Sequence, residues 1–106
     1  MADCIFCRIA NGEIPSPLVF ESRNFIVIKD IHPKAPGHSL VISKKHFATF
    51  IDLPRDLYRE FLDTIKDATE KILASVGKRA FNLVMNNFHE AGQEVPHMHL
   101  HIIPRG

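Results

Sequence analysis

The stretch HMHLHIIP, residues 97–104, decides how this chain folds, because apolar and polar side chains alternate along it. Successive side chains of a β-strand point to opposite faces, with a period of two residues. The pattern therefore predicts a strand over His97–Pro104 whose Met98, Leu100 and Ile102 enter a core. Three histidines are left on the other face, spaced about 7 Å apart along the strand: His97, His99 and His101.

A long helix is predicted by apolar residues that recur at steps of three or four, as one face of an α-helix requires. These residues are Leu57, Phe61, Ile65, Ala68, Ile72 and Val76. Asp52 and Pro54 mark its start and Gly77 its end. A short N-terminal helix is predicted over Cys4–Ala10, capped by Asp3 and stopped at Asn11-Gly12.

Four further segments are rich in residues typical of strands and are bounded by turn residues. They are Leu18–Glu21, Asn24–Asp30, Ser39–Ser43 and Phe81–Asn87. Strands and helices do not alternate as they do in parallel sheets. We therefore expect one α+β domain over residues 1–106, with a mostly antiparallel five-stranded sheet, one long helix and a short N-terminal helix.

The composition excludes several functional classes. The chain has 106 residues, of which 45% are hydrophobic, and 13 basic against 12 acidic side chains give a net charge of +1. It has no basic stripe for a nucleic acid and no apolar run near the roughly 20 residues that span a bilayer. The first residues lack the pattern of a secretion signal. We expect a cytoplasmic protein without a nucleic-acid or membrane partner.

Seven histidines in a chain of this size are unusual, and the three in the last strand need an explanation. They could be an exposed polar face, a metal-binding patch, or a catalytic cluster, since imidazole acts as nucleophile, proton donor and metal ligand near pH 7. Clustered histidines favour a catalytic or binding role. His32 and His89 carry no such pattern, and we interpret both as solvated loop residues.

The triplet His-x-His-x-His followed by two apolar residues resembles the signature of the histidine-triad (HIT) family of nucleotide hydrolases and transferases. Other motifs extend the resemblance along nearly the whole chain. They are DCIFCRI at 3–9, DI at 30–31 with PKAPGH at 33–38, VI at 41–42 with KKH at 44–46, Asn86, and AGQ at 91–93. The chain looks most similar to the nucleoside phosphoramidase branch. The resemblance implies a five-stranded antiparallel sheet with one long helix, and a homodimer.

The resemblance also implies roles at individual positions. His99 matches the nucleophile that attacks the α-phosphorus, while His101 and His38 match residues that contact the phosphate or assist proton transfer. Asn86 and Gln93 match amides that bind phosphoryl oxygens, and Gly92 would let backbone N–H groups approach that charge. Glu94 stands where that branch often has serine, close to the leaving group, and its charge either disfavours anionic polyphosphate substrates or simply points to solvent.

Nucleoside recognition is implied in the same way. Asp30 matches the carboxylate that binds both ribose hydroxyls, which suits its two acceptor oxygens. Five apolar residues match the wall around the purine, although by the residues alone they are core side chains: Ile5, Phe6, Ile9, Ile28 and Ile31.

The function that we expect is hydrolysis of purine nucleoside phosphoramidates through a covalent nucleotidyl-histidine, without a catalytic cofactor. One alternative is a dinucleoside polyphosphate hydrolase or nucleotidyltransferase. Another is a nucleotide-binding adaptor with vestigial activity, which the intact histidine triplet disfavours because binding needs no nucleophile.

A structural zinc is expected at Cys4, Cys7, His46 and His97. The Cys-x-x-Cys spacing fits half of a tetrahedral zinc site. Some bacterial relatives and the more distant hexose-phosphate uridylyltransferases resemble this arrangement of two cysteines, a loop histidine and the first triplet histidine. The alternative is that both cysteines are small buried apolar residues of the first helix.

Overall fold

The structure is a computed structural model, and it describes residues 4–106. A short helix α1, Ile5–Ala10, precedes the strands β1, Leu18–Glu21, β2, Phe25–Lys29, and β3, Ser39–Ser43. The long helix α2, Tyr58–Val76, follows, and then β4, Ala80–Val84, and β5, His99–Arg105. Short 3-10 turns lie at Phe50–Asp52, Arg55–Leu57 and His89–Ala91. The predicted α+β class is confirmed.

The five strands form one sheet in the order β1-β2-β3-β5-β4, and all four pairings are antiparallel. The last strand is therefore an inner strand between β3 and β4. Its residue His101 pairs with Leu40 on one side and with Val84 on the other. This position places the histidine strand in the middle of the molecule, next to residues from both halves of the chain.

The sheet separates two apolar clusters. The larger one lies between the sheet and α2 and includes Met98, Leu100 and Ile102, as the alternation predicts. The smaller one lies under α1 and is built from residues of α1, β2 and β3: Phe6, Ile26, Ile28, Leu40 and Ile42. The histidine face of β5 lies on this second side of the sheet, and α1 covers it.

Several predicted boundaries are wrong by a few residues. The last strand begins at His99 and not at His97, because the preceding backbone bonds to loops: Met98 N–H donates to the Phe47 carbonyl at 2.7 Å. The fourth strand consequently ends at Val84, where its pairing with β5 ends, and not at Asn87. The long helix begins at Tyr58, after two 3-10 turns, and it ends before Gly77 as predicted.

The N-terminal helix is capped differently from the prediction. Asp3 lies outside the described residues. Cys4 occupies the cap position, and its Sγ accepts a hydrogen bond from the Cys7 N–H at 3.4 Å. None of the helices within residues 4–106 is long and apolar enough to cross a membrane.

Candidate functional site

The histidine strand presents two imidazoles side by side. His99 and His101 both point to the α1 side of the sheet, and their ring centroids lie 5.2 Å apart. The rings thus lean together, since the strand rise alone would separate them by about 7 Å. His99 is only 8% exposed, whereas His101 is half-buried. Both rings can reach one small chemical group.

The ring of His99 is held in one orientation and one tautomer. Its Nδ1 lies 2.7 Å from the main-chain carbonyl of His97. A carbonyl only accepts hydrogen bonds, so Nδ1 carries the proton and Nε2 of the neutral ring keeps its lone pair. Phe6 of α1 packs edge-on against the ring at 5.0 Å. The unprotonated nitrogen is therefore available for attack on an electrophile.

His38 reaches the same site from the loop before β3. The turn that directs His38 into the site requires glycine at position 37, because φ is +88° at Gly37. A Cβ at this position would also lie 3.0 Å from the Val76 side chain. The Lys34 N–H donates to His38 Nδ1 at 3.0 Å, which leaves the His38 proton on Nε2. That Nε2–H donates to His101 Nδ1 at 2.9 Å, so the neutral His101 carries its proton on Nε2. The two rings form an ordered hydrogen-bonded pair.

Burial keeps this pair uncharged near neutral pH. Burial lowers the pKa of His38, an effect that the nearby Asp30 carboxylate partly opposes. The pKa of His101 is lowered to about 4, first by burial and then by the neighbouring charges of His99 and His38. Asp30 stands beside the pair, with Oδ2 3.3 Å from His38 Nε2, while its Oδ1 accepts the His32 N–H at 2.8 Å.

A cavity of about 450 Å³ opens over these histidines. Its walls come from α1, the end of β2, the loop before β3 and the loop between β4 and β5. The sequence-predicted residues that line it are Ile5, Phe6, Ile9, Ile28, Asp30, Ile31, His38, Asn86, Gly92, Glu94, His99 and His101. Its volume lies within the range of small-molecule sites, of which roughly 300–1,000 Å³ is typical.

Gln93 is not part of this cavity, in contrast to the expectation from the resemblance. Its side chain is buried, and both ends bind backbone: Oε1 accepts the Phe88 N–H and Nε2 donates to the Ala48 carbonyl, each at 2.6 Å. Gln93 therefore holds the loop in place. The preceding residue, Gly92, has φ +95°. The Asn86 amide nitrogen lies 3.6 Å from the position that a Cβ on residue 92 would occupy.

The structure brings Cys4, Cys7, His46 and His97 together beside the cavity. Their ligand atoms all lie within 4.8 Å of one another. The shortest contacts are Cys4 Sγ to His97 Nδ1 at 3.2 Å and Cys7 Sγ to His46 Nδ1 at 3.3 Å. His97 Nε2–H donates to the Ser43 carbonyl at 2.7 Å, so Nδ1 faces the sulfurs unprotonated. Two sulfurs and two imidazole nitrogens at this spacing fit a tetrahedral zinc.

Comparison with known proteins identifies the family of this chain. The family model described as HIT domain matches residues 11–106. The chain belongs to the HIT family. An uncharacterised HIT-like protein of Methanocaldococcus jannaschii is 45% identical over 102 residues, which are 96% of this chain and 78% of that protein.

Two further relatives of this HIT protein are informative. The adenosine 5′-monophosphoramidase HNT1 of Saccharomyces cerevisiae is 38% identical, covering 98% of this chain but 63% of the yeast enzyme, so the chain spans less than two thirds of that enzyme's length. The crystal structure of a HIT family protein from Bacillus subtilis superposes with a TM-score of 0.93 at 35% identity, covering 97% of this chain and 73% of that one.

Sequence reasoning missed several cavity residues of this HIT protein. Lys29 and Lys34 flank Asp30, and His32, interpreted above as a solvated loop residue, lies at the cavity rim although it is exposed. Leu40 also lines the cavity, and a sequence signal was available, because it stands two positions after His38 and so points to the same side of an extended segment. The loop residues gave no comparable signal, since no periodic pattern places them.

Proposed function

We propose that this HIT protein hydrolyses purine nucleoside phosphoramidates at the α-phosphorus and releases a nucleoside monophosphate. The observation that carries the proposal is the fixed tautomer of His99, whose free Nε2 faces a nucleotide-sized cavity next to an ordered donor, His101. Relatives named adenosine 5′-monophosphoramidase support the substrate class.

Catalysis proceeds through a covalent intermediate on His99. Its Nε2 lone pair forms a bond to phosphorus while the phosphorus–nitrogen bond to the leaving amine breaks, and the bond electrons pass to the amine nitrogen. Water then attacks the phosphorus of the nucleotidyl-histidine and restores the free imidazole. Throughout, the His97 carbonyl stabilises the positive charge that develops on the ring, because it accepts the Nδ1–H bond.

His101 transfers the proton that the leaving amine needs, and His38 orients the His101 ring. The Nε2–H of neutral His101 donates a hydrogen bond to a phosphoryl oxygen, and the negative charge of a bound phosphate raises the pKa of this group. Protonation of His101 adds a proton at Nδ1, and the His38 Nε2–H then turns to Asp30 Oδ2, which lies 3.3 Å away. From this form the Nε2–H of His101 gives a proton to the departing amine, and the attacking water returns one in the second step. His38 keeps the His101 ring oriented, since their nitrogens are 2.9 Å apart.

The nucleoside occupies the side of the cavity formed by α1 and the end of β2. Asp30 accepts the two ribose hydroxyls through its carboxylate, and the purine packs on the apolar residues of α1 and β2. The phosphate lies over His99, where the Asn86 amide and the backbone at Gly92 donate to its oxygens. Gln93 contributes indirectly, by holding the loop that carries Gly92.

One structural zinc is bound by Cys4, Cys7, His46 and His97. The donor set, its spacing and the Ser43 carbonyl behind His97 support this assignment. The metal joins α1 to the loop after β3 and to the start of the histidine strand, and it supplies no catalytic step because all four positions of a tetrahedral ion are filled.

The active form is a homodimer that pairs along β4. This strand lies at an edge of the sheet, and all five of its residues are exposed. Phe81 and Leu83 of this strand are 43% and 46% exposed. Long apolar edge strands are unusual in isolated molecules because they template further pairing. A second copy would cover this edge.

A trapping experiment tests the covalent route. The protein is mixed with adenosine phosphoramidate labelled in the phosphate and is quenched rapidly in alkaline denaturant, because a phosphohistidine bond survives base and not acid. We expect label on the peptide that contains His99, in wild type and in a His89→Ala control, and none in His99→Ala. Substrate consumption without label on the protein at any reaction time would overturn the covalent mechanism.

The leaving group is tested with two substrate types in parallel. Adenosine phosphoramidate and a diadenosine polyphosphate are supplied at equal concentration, and the nucleoside monophosphate released from each is measured. We expect the phosphoramidate to be favoured, because the Glu94 carboxylate in the cavity disfavours an anionic polyphosphate. The reverse preference would identify the protein as a dinucleoside polyphosphate hydrolase.

A further inference from the structure

Glu94 places a negative charge in the cavity, and no step of the reaction proposed above gives this charge a partner. It lies in the loop between the 3-10 turn His89–Ala91 and β5, and it lines the same cavity as His99 and His101. Within residues 4–106 its carboxylate forms neither an ion pair nor a hydrogen bond with the protein. Glu94 is exposed, so its carboxylate faces solvent without a partner in the described part of the protein and is available to a ligand.

The strand order defines two sides of the catalytic histidines, one towards β2 and one towards β4. At the end of β2, Asp30 stands beside His38, two strands away from β5 on the β3 side. On the opposite side, the chain that continues from β4 reaches Asn86 and then Gly92, which lies against the Asn86 amide. The catalytic histidines thus lie between Asp30 and the contact of Asn86 with Gly92, and Glu94 follows Gly92 by two residues.

The two sides of the cavity differ in charge. The Asp30 side carries the exposed lysines Lys29 and Lys34, whereas Glu94 is the acidic residue on the far side. If Asp30 holds the ribose, the far side receives the group that leaves the phosphorus. An anionic leaving group would be repelled there, and a cationic one would be attracted.

We propose that Glu94 selects leaving amines that carry a second positive charge, that is, the ends of diamines and polyamines. This inference rests on the proposed phosphoramidase function and names the leaving-group class for the same site. The amine nitrogen on phosphorus departs as described above, while the distal ammonium stays intact and pairs with the carboxylate. Opposite charges a few ångströms apart at a partly solvated site favour the cation on the order of tenfold over a neutral group.

Three adenosine monophosphate conjugates with four-carbon amines test this assignment. Their amines are 1,4-diaminobutane, butylamine and 4-aminobutyrate, which end in a positive, a neutral and a negative group. The ratio of kcat/KM values is measured on wild type, on Glu94→Gln and on Glu90→Gln, a matched control in the same loop that does not line the cavity. Low and high salt are compared, because salt screens partly exposed charges.

We expect wild type and Glu90→Gln to prefer the cationic over the neutral conjugate about tenfold, and the neutral over the anionic by a similar factor. In Glu94→Gln both ratios should approach one, and in wild type they should shrink in high salt. Equal ratios in wild type and Glu94→Gln would overturn the proposal. If no conjugate is hydrolysed, the phosphoramidase function fails, and the dissociation constants of the same conjugates on the same three proteins then decide the role of Glu94.

Discussion

The Nδ1 atom of His99 lies 2.7 Å from the carbonyl oxygen of His97, and the His97 side chain belongs to the Cys4–Cys7–His46–His97 cluster. One residue thus connects two sites: its side chain faces the sulfurs, and its backbone orients the ring of His99, the proposed nucleophile. Phe6 makes the same connection from α1, because its ring packs edge-on against both His97 and His99. The orientation of the nucleophile therefore depends on the packing of the N-terminal helix.

Replacing the nucleophile should separate binding from turnover. His99→Ala should lower kcat by at least about a thousandfold, because no other group in the cavity offers a free nitrogen at that place. The affinity for a nucleoside monophosphate should change by less than about tenfold, since Asp30 and the apolar wall remain. Isothermal titration and steady-state kinetics measure the two effects. A variant that binds normally and keeps near-normal rates would show that His99 is not the nucleophile.

Asp30 should discriminate between ribose and deoxyribose. Asp30→Ala should reduce the preference for a ribonucleoside over the 2′-deoxyribonucleoside substrate by about 10- to 100-fold in kcat/KM, because hydrogen bonds to a charged acceptor are lost. Asp30 also lies 3.3 Å from His38 Nε2, so kcat should fall for both sugars. Lys29→Ala serves as a control for the change of charge near Asp30. An unchanged sugar preference in Asp30→Ala would contradict the proposed contact with the diol.

Removal of a zinc ligand should lower both the zinc content and the thermal stability of the protein. Protein purified without chelators should contain about one zinc per chain, and Cys7→Ser or His46→Ala should lose the metal and lower Tm. His89→Ala, a histidine outside the cluster, should retain both. Metal analysis, thiol titration and thermal unfolding are the measurements. Freely titratable thiols and no zinc in the wild-type protein would show that the cluster is not a zinc site.

Stability should fall on acidification because His101 is held neutral by the fold. Its pKa is lowered from 6.5 to about 4, so that between these two values the unfolded chain binds more protons than the folded one. The free energy of unfolding should therefore fall as the pH drops from 6.5 towards 4, by roughly 3 kcal/mol at most, since one pH unit is worth about 1.4 kcal/mol.

Urea unfolding at pH 8 and at pH 5 measures this effect, with His101→Gln as the comparison. Between the two pH values the variant should lose less free energy of unfolding than wild type. Any contribution of the Cys/His cluster is the same in both proteins, so it drops out when the two losses are subtracted. An equal loss in both proteins would show that His101 does not contribute.

The β4 edge should control the oligomeric state. We expect wild type to sediment at twice the 12.0 kDa mass of one chain. Leu83→Lys should release single chains, because a charged side chain on an edge strand opposes pairing with another chain. Lys66→Glu, on the solvated side of α2, should leave the assembly unchanged. A wild-type mass of one chain across the micromolar range would refute the dimer.

The alternation in residues 97–104 predicted which side chains of the last strand enter the α2 core and which face the other side. The helical spacing from Leu57 to Val76 predicted α2 and its apolar face with equal success. Both predictions succeed because the direction of a side chain in a strand or helix follows from the repeat of the backbone. Strand ends were less predictable: β5 begins at His99 because Met98 bonds to Phe47, a residue that lies far away in sequence.

The sequence by itself determined the fold class and identified candidate site residues, because periodic patterns and local motifs depend on neighbouring positions in the chain. Only the tertiary structure decided which of those residues meet and how. His38 and His101 are 63 positions apart, yet their contact sets the tautomer of His101. The Gln93 side chain binds the Phe88 and Ala48 backbone and does not enter the cavity. Such contacts depend on strand register and loop paths, which arise from packing of the whole chain and leave no local pattern.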